Sequence, residues 1–328
     1  MGRIWTALGI AVVAGAVAFG AAAATEKTKL SLVAYSTPKD AYGKIIKEFQ
    51  ATSAGKAVSF SQSYGASGDQ ARAVRAGLPA DVVNFSLEPD MTSLVKAKLV
   101  SKNWKDAKYH GMITNSVVVF VVRDGNPKHI RGWSDLVRKK IQVITPNPFT
   151  SGGAKWNILA AYGAQRKLGK SDKQAVKYLR NLFVNHVPVQ DKSAREALQT
   201  FTSGKGDVLL TYENEAIYAN KKGQKTDYVI PRQTVLIESP VAATKTGAKH
   251  KEAKAFVNFL RTPRAQAIFA NQGYRSVIAS ITRSHGFRRP AGLFTVRKLG
   301  FGGWGRVDKR FFDPSNGIMA RIEREVGH

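Results

Sequence analysis

The chain has 328 residues, 43% of them hydrophobic and 23% charged. That length suits a sizeable core arranged as two lobes, and the composition is that of an ordinary globular protein. There is no cysteine, which excludes a disulfide framework, thiol chemistry and any cysteine-based metal site. A total of 51 Lys and Arg against 23 Asp and Glu leaves a formal net charge of +28, which attracts anions of every kind without naming one.

The first 24 residues, "MGRIWTALGIAVVAGAVAFGAAAA", carry Arg3, an apolar run from Ile4 to Phe19 and small residues at the end. This pattern predicts a secretory signal peptide cleaved near Ala22 to Ala24. The run grades into Ala and Gly without a stopping charge, so a membrane anchor fits less well.

Beyond it, "KLSLVAYS" reads as a strand and "AYGKIIKEFQAT" as a helix with Ile45, Ile46 and Phe49 on one face. "AVSFSQSYGASG" is a strand ending in a glycine turn before the helix "DQARAVRAG", and "ADVVNFS" is a buried strand before the helix "DMTSLVKAKLV". "SVVVFVVR" is the most apolar strand; "KKIQVITPNP" is another, and a long helix follows from about Ala154. The helices "SDKQAVKYLRNLF" and "SAREALQTFTSG" precede the strand "GDVLLTY". "TVLIESPVAATK" then leads to "EAKAFVNFLRTPRAQAIFANQG", one helix or two broken near Pro263. Short apolar strands alternating with amphipathic helices predict an α/β sheet covered on both faces. No flexible linker separates two halves, so two lobes must share strands that cross between them, and "SVVVF" and "TVLIESP" are the candidates. A cleft between the lobes is a preferred place for a ligand.

Three helix starts stand out: Ser67 and Gly68 in "SYGASGDQ", Ser151, Gly152 and Gly153 in "TSGGAKWN", and Ser193 and Ala194 in "DKSAREALQ". The first N–H groups of a helix have no intrahelical acceptor, and with the helix dipole they favour an anion. Taken alone, each start is only an N-cap, with Ser67 a good capping residue of the first. Together, in the βα turns of one sheet, they lie where open α/β sheets place ligands. None is a nucleotide loop, because "TSGGAKWN" lacks the P-loop spacing. "YGASGDQ" is not a nucleophile elbow either, and the six histidines show no partner pattern. The basic clusters "WSDLVRKK", "YANKKGQK" and "KTGAKHKEAK" read as solvated faces.

The stretches "ITPNPFTSGGAKWN", "YGASGDQ", "DVLLTYENEA" and "LFTVRKLGFGGWGRVDKRFFD" resemble the sulfate- and thiosulfate-binding proteins of ABC importers. The resemblance runs from about Leu30 to about Arg321. It implies a two-lobed type II periplasmic binding protein fold of the α/β class, with crossing strands as the hinge. After the signal peptide at 1–24, lobe 1 is expected at 25–112 plus 241–328 and lobe 2 at 113–240. Carried over residue by residue, the ligand contacts fall on Ser67, Ser151, Gly152, Gly153, Ala194, Tyr212 and Thr37. Tyr212 takes the place of an indole, Thr37 that of an aspartate, and Lys155 that of a more usual arginine. Lys155 is expected in solvent, Asp69 turned away from the ligand, and Trp304, Phe311 and Phe312 as anchors of a packed C-terminal extension.

The resemblance implies no catalytic residue, cofactor or metal. The expected product is a periplasmic monomer that captures sulfate or thiosulfate for the permease subunits of an importer, with no nucleic-acid partner. The alternatives are another tetrahedral oxyanion (molybdate, phosphate or a sulfonate) as ligand, or an exported basic protein that binds polyanions.

Overall fold

The computed structural model describes residues 1–2, 28–299 and 302–327. The segment read as a signal peptide lies, apart from its first two residues, outside the described residues. The chain opens with three strand–helix units: β1 (Thr28–Tyr35) and α1 (Lys39–Gln50), β2 (Val58–Gly65) and α2 (Ser67–Arg75), then β3 (Val82–Asn84) and α3 (Glu88–Lys96). The long strand β4 (Met112–Arg123) leads to β5 (Val143–Pro146), α4 (Gly152–Lys167) and α5 (Asp172–His186). Next come β6 (Val189–Asp191), α6 (Ala194–Thr202), β7 (Val208–Tyr212) and α7 (Glu213–Lys221). β8 (Thr226–Val229) and β9 (Gln233–Ala243) turn the chain back towards α8 (Lys251–Phe259) and α9 (Pro263–Asn271). β10 (Arg275–Ser276), α10 (Ala279–Ser284), β11 (Gly292–Phe294), α11 (Trp304–Phe312) and α12 (Ile318–Val326) complete it.

Local chemistry sets these boundaries. α1 buries Ala41, Tyr42, Ile45, Ile46 and Phe49, the spacing of one helical face. The helical pattern after β9 is two helices: Thr262 caps α9 by accepting from the Ala265 N–H, and Pro263 stands at its first position, where its missing N–H costs nothing.

The strands run in the order β2-β1-β3-β9-β4-β7-β5-β6. β1 is parallel to β2 and β3, and β5 is parallel to β6 and β7. Between these sets lie β9 and β4, antiparallel to each other and to their outer neighbours β3 and β7. These are the two strands named as crossings. β9 pairs with β3 through Val241–Ala243 and with β4 through Leu236–Pro240, so one strand serves both halves. The result is a two-lobed α/β fold with its parallel strands ending towards the seam, at the turns that carry Thr37, Ser67, Ser86, Ser151, Ala194 and Tyr212.

Each half is covered on both faces. Leu30, Tyr42, Phe49 and Phe256 belong to a cluster on one face of the β1–β3 set, and Val33, Val83, Phe85 and Met91 fill the other. Val117, Val119, Ile144 and Leu209 belong to a third cluster. The fourth joins α4 and α5 to the tail, where Phe294, Val307, Phe311, Ile318 and Met319 are buried. Here the packing departs from the grouping expected of residues 241–328. α8 and α9 join the first half, but the tail from β11 onwards packs on the second. β11 adds in parallel to the start of β9, which delivers the following helices to the outer side of α4 and α5.

Phe256 is fully buried, its ring 4.7 Å from that of Phe60 and 5.1 Å from that of Phe49. Phe256→Ala is expected to cost about 3–5 kcal/mol through the cavity it leaves. Urea unfolding measures this, and a loss under about 1 kcal/mol, ordinary for a surface change, counts against this packing.

Candidate functional site

Ser151 is the N-cap of α4, and its hydroxyl oxygen accepts from the Gly153 N–H at 3.1 Å. Ser193 caps α6 in the same way, accepting from the Glu196 N–H. Each cap holds its turn from the side and leaves the helix to open on Gly152 or on Ala194. Ser67 behaves differently from the cap that the sequence suggests. The N-cap of α2 is Ala66, and the Ser67 hydroxyl instead donates to Asp90 Oδ2 at 2.6 Å while accepting from the Ser86 N–H at 2.9 Å. A serine is a better cap in isolation, but a buried carboxylate nearby is the stronger acceptor.

These starts meet. A Cβ on Gly153 would stand 3.0 Å from Tyr212 Cε2, 3.2 Å from its hydroxyl and 3.3 Å from Ala194 Cβ. A Cβ on Gly152 would stand 2.3 Å from Ser86 Oγ and 2.0 Å from Leu87 Cδ2. Gly152 therefore permits a backbone approach that any side chain would block, and Gly153 a close one that a side chain would crowd. The Gly68 N–H, from α2, donates to the Thr150 carbonyl at 3.0 Å. Ser67, Ser151, Gly152, Gly153, Ala194 and Tyr212 thus gather around the Gly152–Gly153 turn.

Thr37 does not join this group directly. Its hydroxyl shares a hydrogen bond with Tyr274 at 2.9 Å, and its carbonyl accepts from Arg195 Nη2 at 3.1 Å. It reaches the site through Arg195, the residue after Ala194, and through Tyr35, whose ring lies 6.3 Å from that of Tyr212. Lys155, expected in solvent, is instead 17% exposed, bonded to Asp308 at 2.8 Å and set over the Phe312 ring. The tail that covers α4 supplies this partner. Asp69 turns to Arg72 and to Lys192, the latter at 3.4 Å.

Ser86 was not singled out from the sequence, yet it is the hub. Its N–H donates to Ser67, its carbonyl accepts from Trp156 Nε1 at 2.9 Å, and its hydroxyl accepts from the Tyr212 hydroxyl at 2.9 Å. The usable signal was its place after the strand "ADVVNF", at the carboxyl end where such sheets bind ligands. Asp90 and Arg195 were missed as well.

Both carboxylates near the group are engaged. Asp90 holds Ser67, and burial raises its pKa above the ordinary carboxylate value, partly offset by the Lys155 charge and the Ser67 hydrogen bond. Glu215, fully buried, takes Arg195 in a two-point pair at 2.8 and 2.9 Å. Burial opposes the charge on Arg195, but Glu215 outweighs it and the pKa is raised. Burial likewise pushes the Tyr212 phenol well above its ordinary value, so it stays a neutral donor. The arrangement gathers helix-start N–H groups and hydroxyls at one buried point, where those of Gly68, Gly153, Ser67 and Tyr212 donate to Thr150, Ser151, Asp90 and Ser86. Donors of these types are the ones that anion-binding sites use.

A model of the bacterial extracellular solute-binding protein family matches residues 30–275. The chain belongs to that family. The match ends before the tail. A sulfate-binding protein of Synechococcus elongatus is 41% identical over 312 residues, covering 92% of this chain and 88% of that one. A thiosulfate-binding protein of Escherichia coli is 35% identical, over 82% of each chain. The solved structure of the sulfate-binding protein SubI from Mycobacterium tuberculosis superposes with a TM-score of 0.84 at 44% identity, covering 87% of this chain and 100% of that one.

Two outcomes follow from this geometry. Gly152→Ala is expected to displace Ser86 and loosen the seam, seen as a larger radius of gyration in small-angle scattering, whereas Gly153→Ala, with gentler contacts, has a smaller effect. Equal radii for Gly152→Ala and wild type would contradict the hub. For Asp90 the raised pKa means that the fold prefers its protonated form; that contribution is present at low pH and lost as pH rises through the raised value. Asp90→Asn is therefore expected to raise the melting temperature at neutral pH, with the gain vanishing below about pH 4, where the carboxyl is protonated even when unfolded.

Proposed function

We propose that this solute-binding protein captures sulfate or thiosulfate outside the cytoplasmic membrane and delivers it to an ABC-type permease. It is a binding protein and not an enzyme. The observation that carries the reading is the meeting of the α2, α4 and α6 starts at Gly152–Gly153, with Tyr212 at their side. Sulfate is a full dianion near neutral pH, with acceptors and no proton to give. N–H groups and hydroxyls satisfy it without a contacting counter-charge. Phosphate at that pH keeps a proton that wants an acceptor, but Asp90 is engaged by Ser67 and Glu215 by Arg195. A proton left unpaired in a buried site costs about 1–3 kcal/mol.

The same proposal covers the setting. The N-terminal segment directs export and is cleaved, the mature chain works as a periplasmic monomer, and Ser67, Ser151, Gly152, Gly153, Ala194 and Tyr212 line the ligand. Thr37 braces Arg195 from across the seam. The moving bodies are residues 28–112 with the segment after β9 as far as α10, and residues 113–240 with the tail. β4 and β9 form the hinge. Among the described residues no helix is long and apolar enough to cross a membrane. The charge of +28 speeds encounter with anions, while the fixed donors choose among them.

A thermal-shift panel tests this. A ligand at 100 times its Kd stabilises a fold by about 2.7 kcal/mol, so sulfate or thiosulfate is expected to raise the melting temperature clearly and phosphate at equal concentration is not. Gly152→Asp, which places a carboxylate at the meeting point, is expected to abolish the sulfate shift. A wild-type chain indifferent to both sulfur oxyanions, or a Gly152→Asp variant that still responds, refutes the reading.

A further inference from the structure

The tail packs on α4, and two of its side chains lead from there to the site. Asp308 bonds Lys155 at 2.8 Å, one turn into the helix that Gly152 opens. Trp304 sets its ring edge-on to Trp156, 4.8 Å between centroids at 83°, and Trp156 Nε1 holds the Ser86 carbonyl. α11 also faces the other half, lining with Glu88, Pro89 and Thr92 of α3 a cleft of about 870 Å³.

We propose that α11 is a positioning element for anion capture, acting through Asp308 on Lys155 and through Trp304 on Trp156. The inference rests on the sulfate-capture reading. Its physical content is a contest for Asp90. After burial itself, Lys155 is the largest influence on that carboxylate, and Asp90 is what holds the Ser67 hydroxyl at 2.6 Å. Asp308 keeps the Lys155 ammonium on the tail side. With Asp308 neutralised, the ammonium is no longer held on the tail side. Its charge then falls on Asp90 and on Glu323, with which Lys155 lines a common cleft, and the acceptor of the Ser67 hydroxyl is disturbed. Trp304 does the complementary work, pinning the indole that holds the other end of Ser86. Both lines end on the residue that joins the helix starts. The tail thus fixes the site from behind without touching the ligand, so its loss is expected in the lifetime of the closed complex more than in stability of the fold.

The test is a double-mutant cycle read by sulfate dissociation, using stopped-flow tryptophan fluorescence of the full chain, with Trp156 and Trp304 as the reporting pair. Asp308→Asn is expected to speed dissociation about tenfold while the ligand-free melting temperature stays near wild type. Asp308→Glu is expected to recover most of the lifetime. In a Lys155→Met background, Asp308→Asn is expected to add nothing. Glu325→Gln, which changes net charge equally on the neighbouring helix, is expected to leave the lifetime unchanged. A wild-type lifetime in Asp308→Asn overturns the proposal, as do effects of Asp308→Asn and Lys155→Met that simply multiply. Trp304→Leu is the second arm: it is expected to weaken sulfate affinity severalfold, measured by isothermal titration, and unchanged affinity there also overturns the proposal. If the wild-type chain binds neither sulfate nor thiosulfate, the capture reading fails and this proposal with it, a result distinct from wild-type binding with inert variants.

Discussion

A helix start leaves N–H groups with no carbonyl behind them. In this fold the first turns of α2 and α4, from two halves of one sheet, are tied to a single serine, with the start of α6 beside them at Gly153. Ser86 has three polar groups, and each is taken by a different element: α2 through Ser67, α4 through Trp156, and the end of β7 through Tyr212. Because β4 and β9 carry both halves, the approach of one parallel set to the other is set at the hinge and locked at Ser86. The absent side chains of Gly152 and Gly153 are the steric condition for that approach. Remove any of these features and the helix starts no longer share a focus.

The charges follow from the same arrangement. A donor-only focus tolerates no loose carboxylate, and each nearby acid is held by a partner, Asp90 by Ser67 and Glu215 by the fork of Arg195. Arg195 also reaches over to the Thr37 carbonyl, so the residue beside Ala194 is fixed from both halves. A cation held this way steadies the backbone that binds while its charge is already balanced by Glu215. In the proposed anion capture, selectivity rests on dipoles whose direction is set by the fold, and the diffuse positive surface governs how often an anion arrives.

What the sequence made legible was what depends on near neighbours. Alternating strands and helices, the crossing strands and the paired glycines at the mouth of α4 are local patterns, and all could be read. Ser67 was misread as a cap because capping statistics are local, whereas its partners lie 19 and 23 residues away. Ser86 has no motif of its own; its importance comes from residues as far off as Tyr212, 126 positions later. Lys155 looked solvated because Asp308 stands 153 positions away. The apolar anchors of the tail were evident from their type, but only the pairing of β11 with β9 decides which half they cover.

The distribution of strong and weak contacts bears on how such a seam can open. Across it run a backbone bond from Gly68 to Thr150, a phenol bond from Tyr212 and an indole bond from Trp156, each worth about 1 kcal/mol net when exchanged for water. Of the buried ion pairs, Arg195–Glu215 lies inside the second half, whereas Arg275–Glu213 joins the two halves at the hinge, where β10 borders the crossing strand β4. Breaking a buried pair leaves an uncompensated charge and costs about 3–5 kcal/mol, which would make a seam built from such pairs too slow to release its cargo. Neutral bonds can be traded for water one at a time. The fold therefore keeps its buried ion pairs within one body or at the hinge. The contacts across the seam itself are neutral bonds, the Arg195 bond to the Thr37 carbonyl and the solvent-exposed Lys192–Asp69 pair, which water can replace.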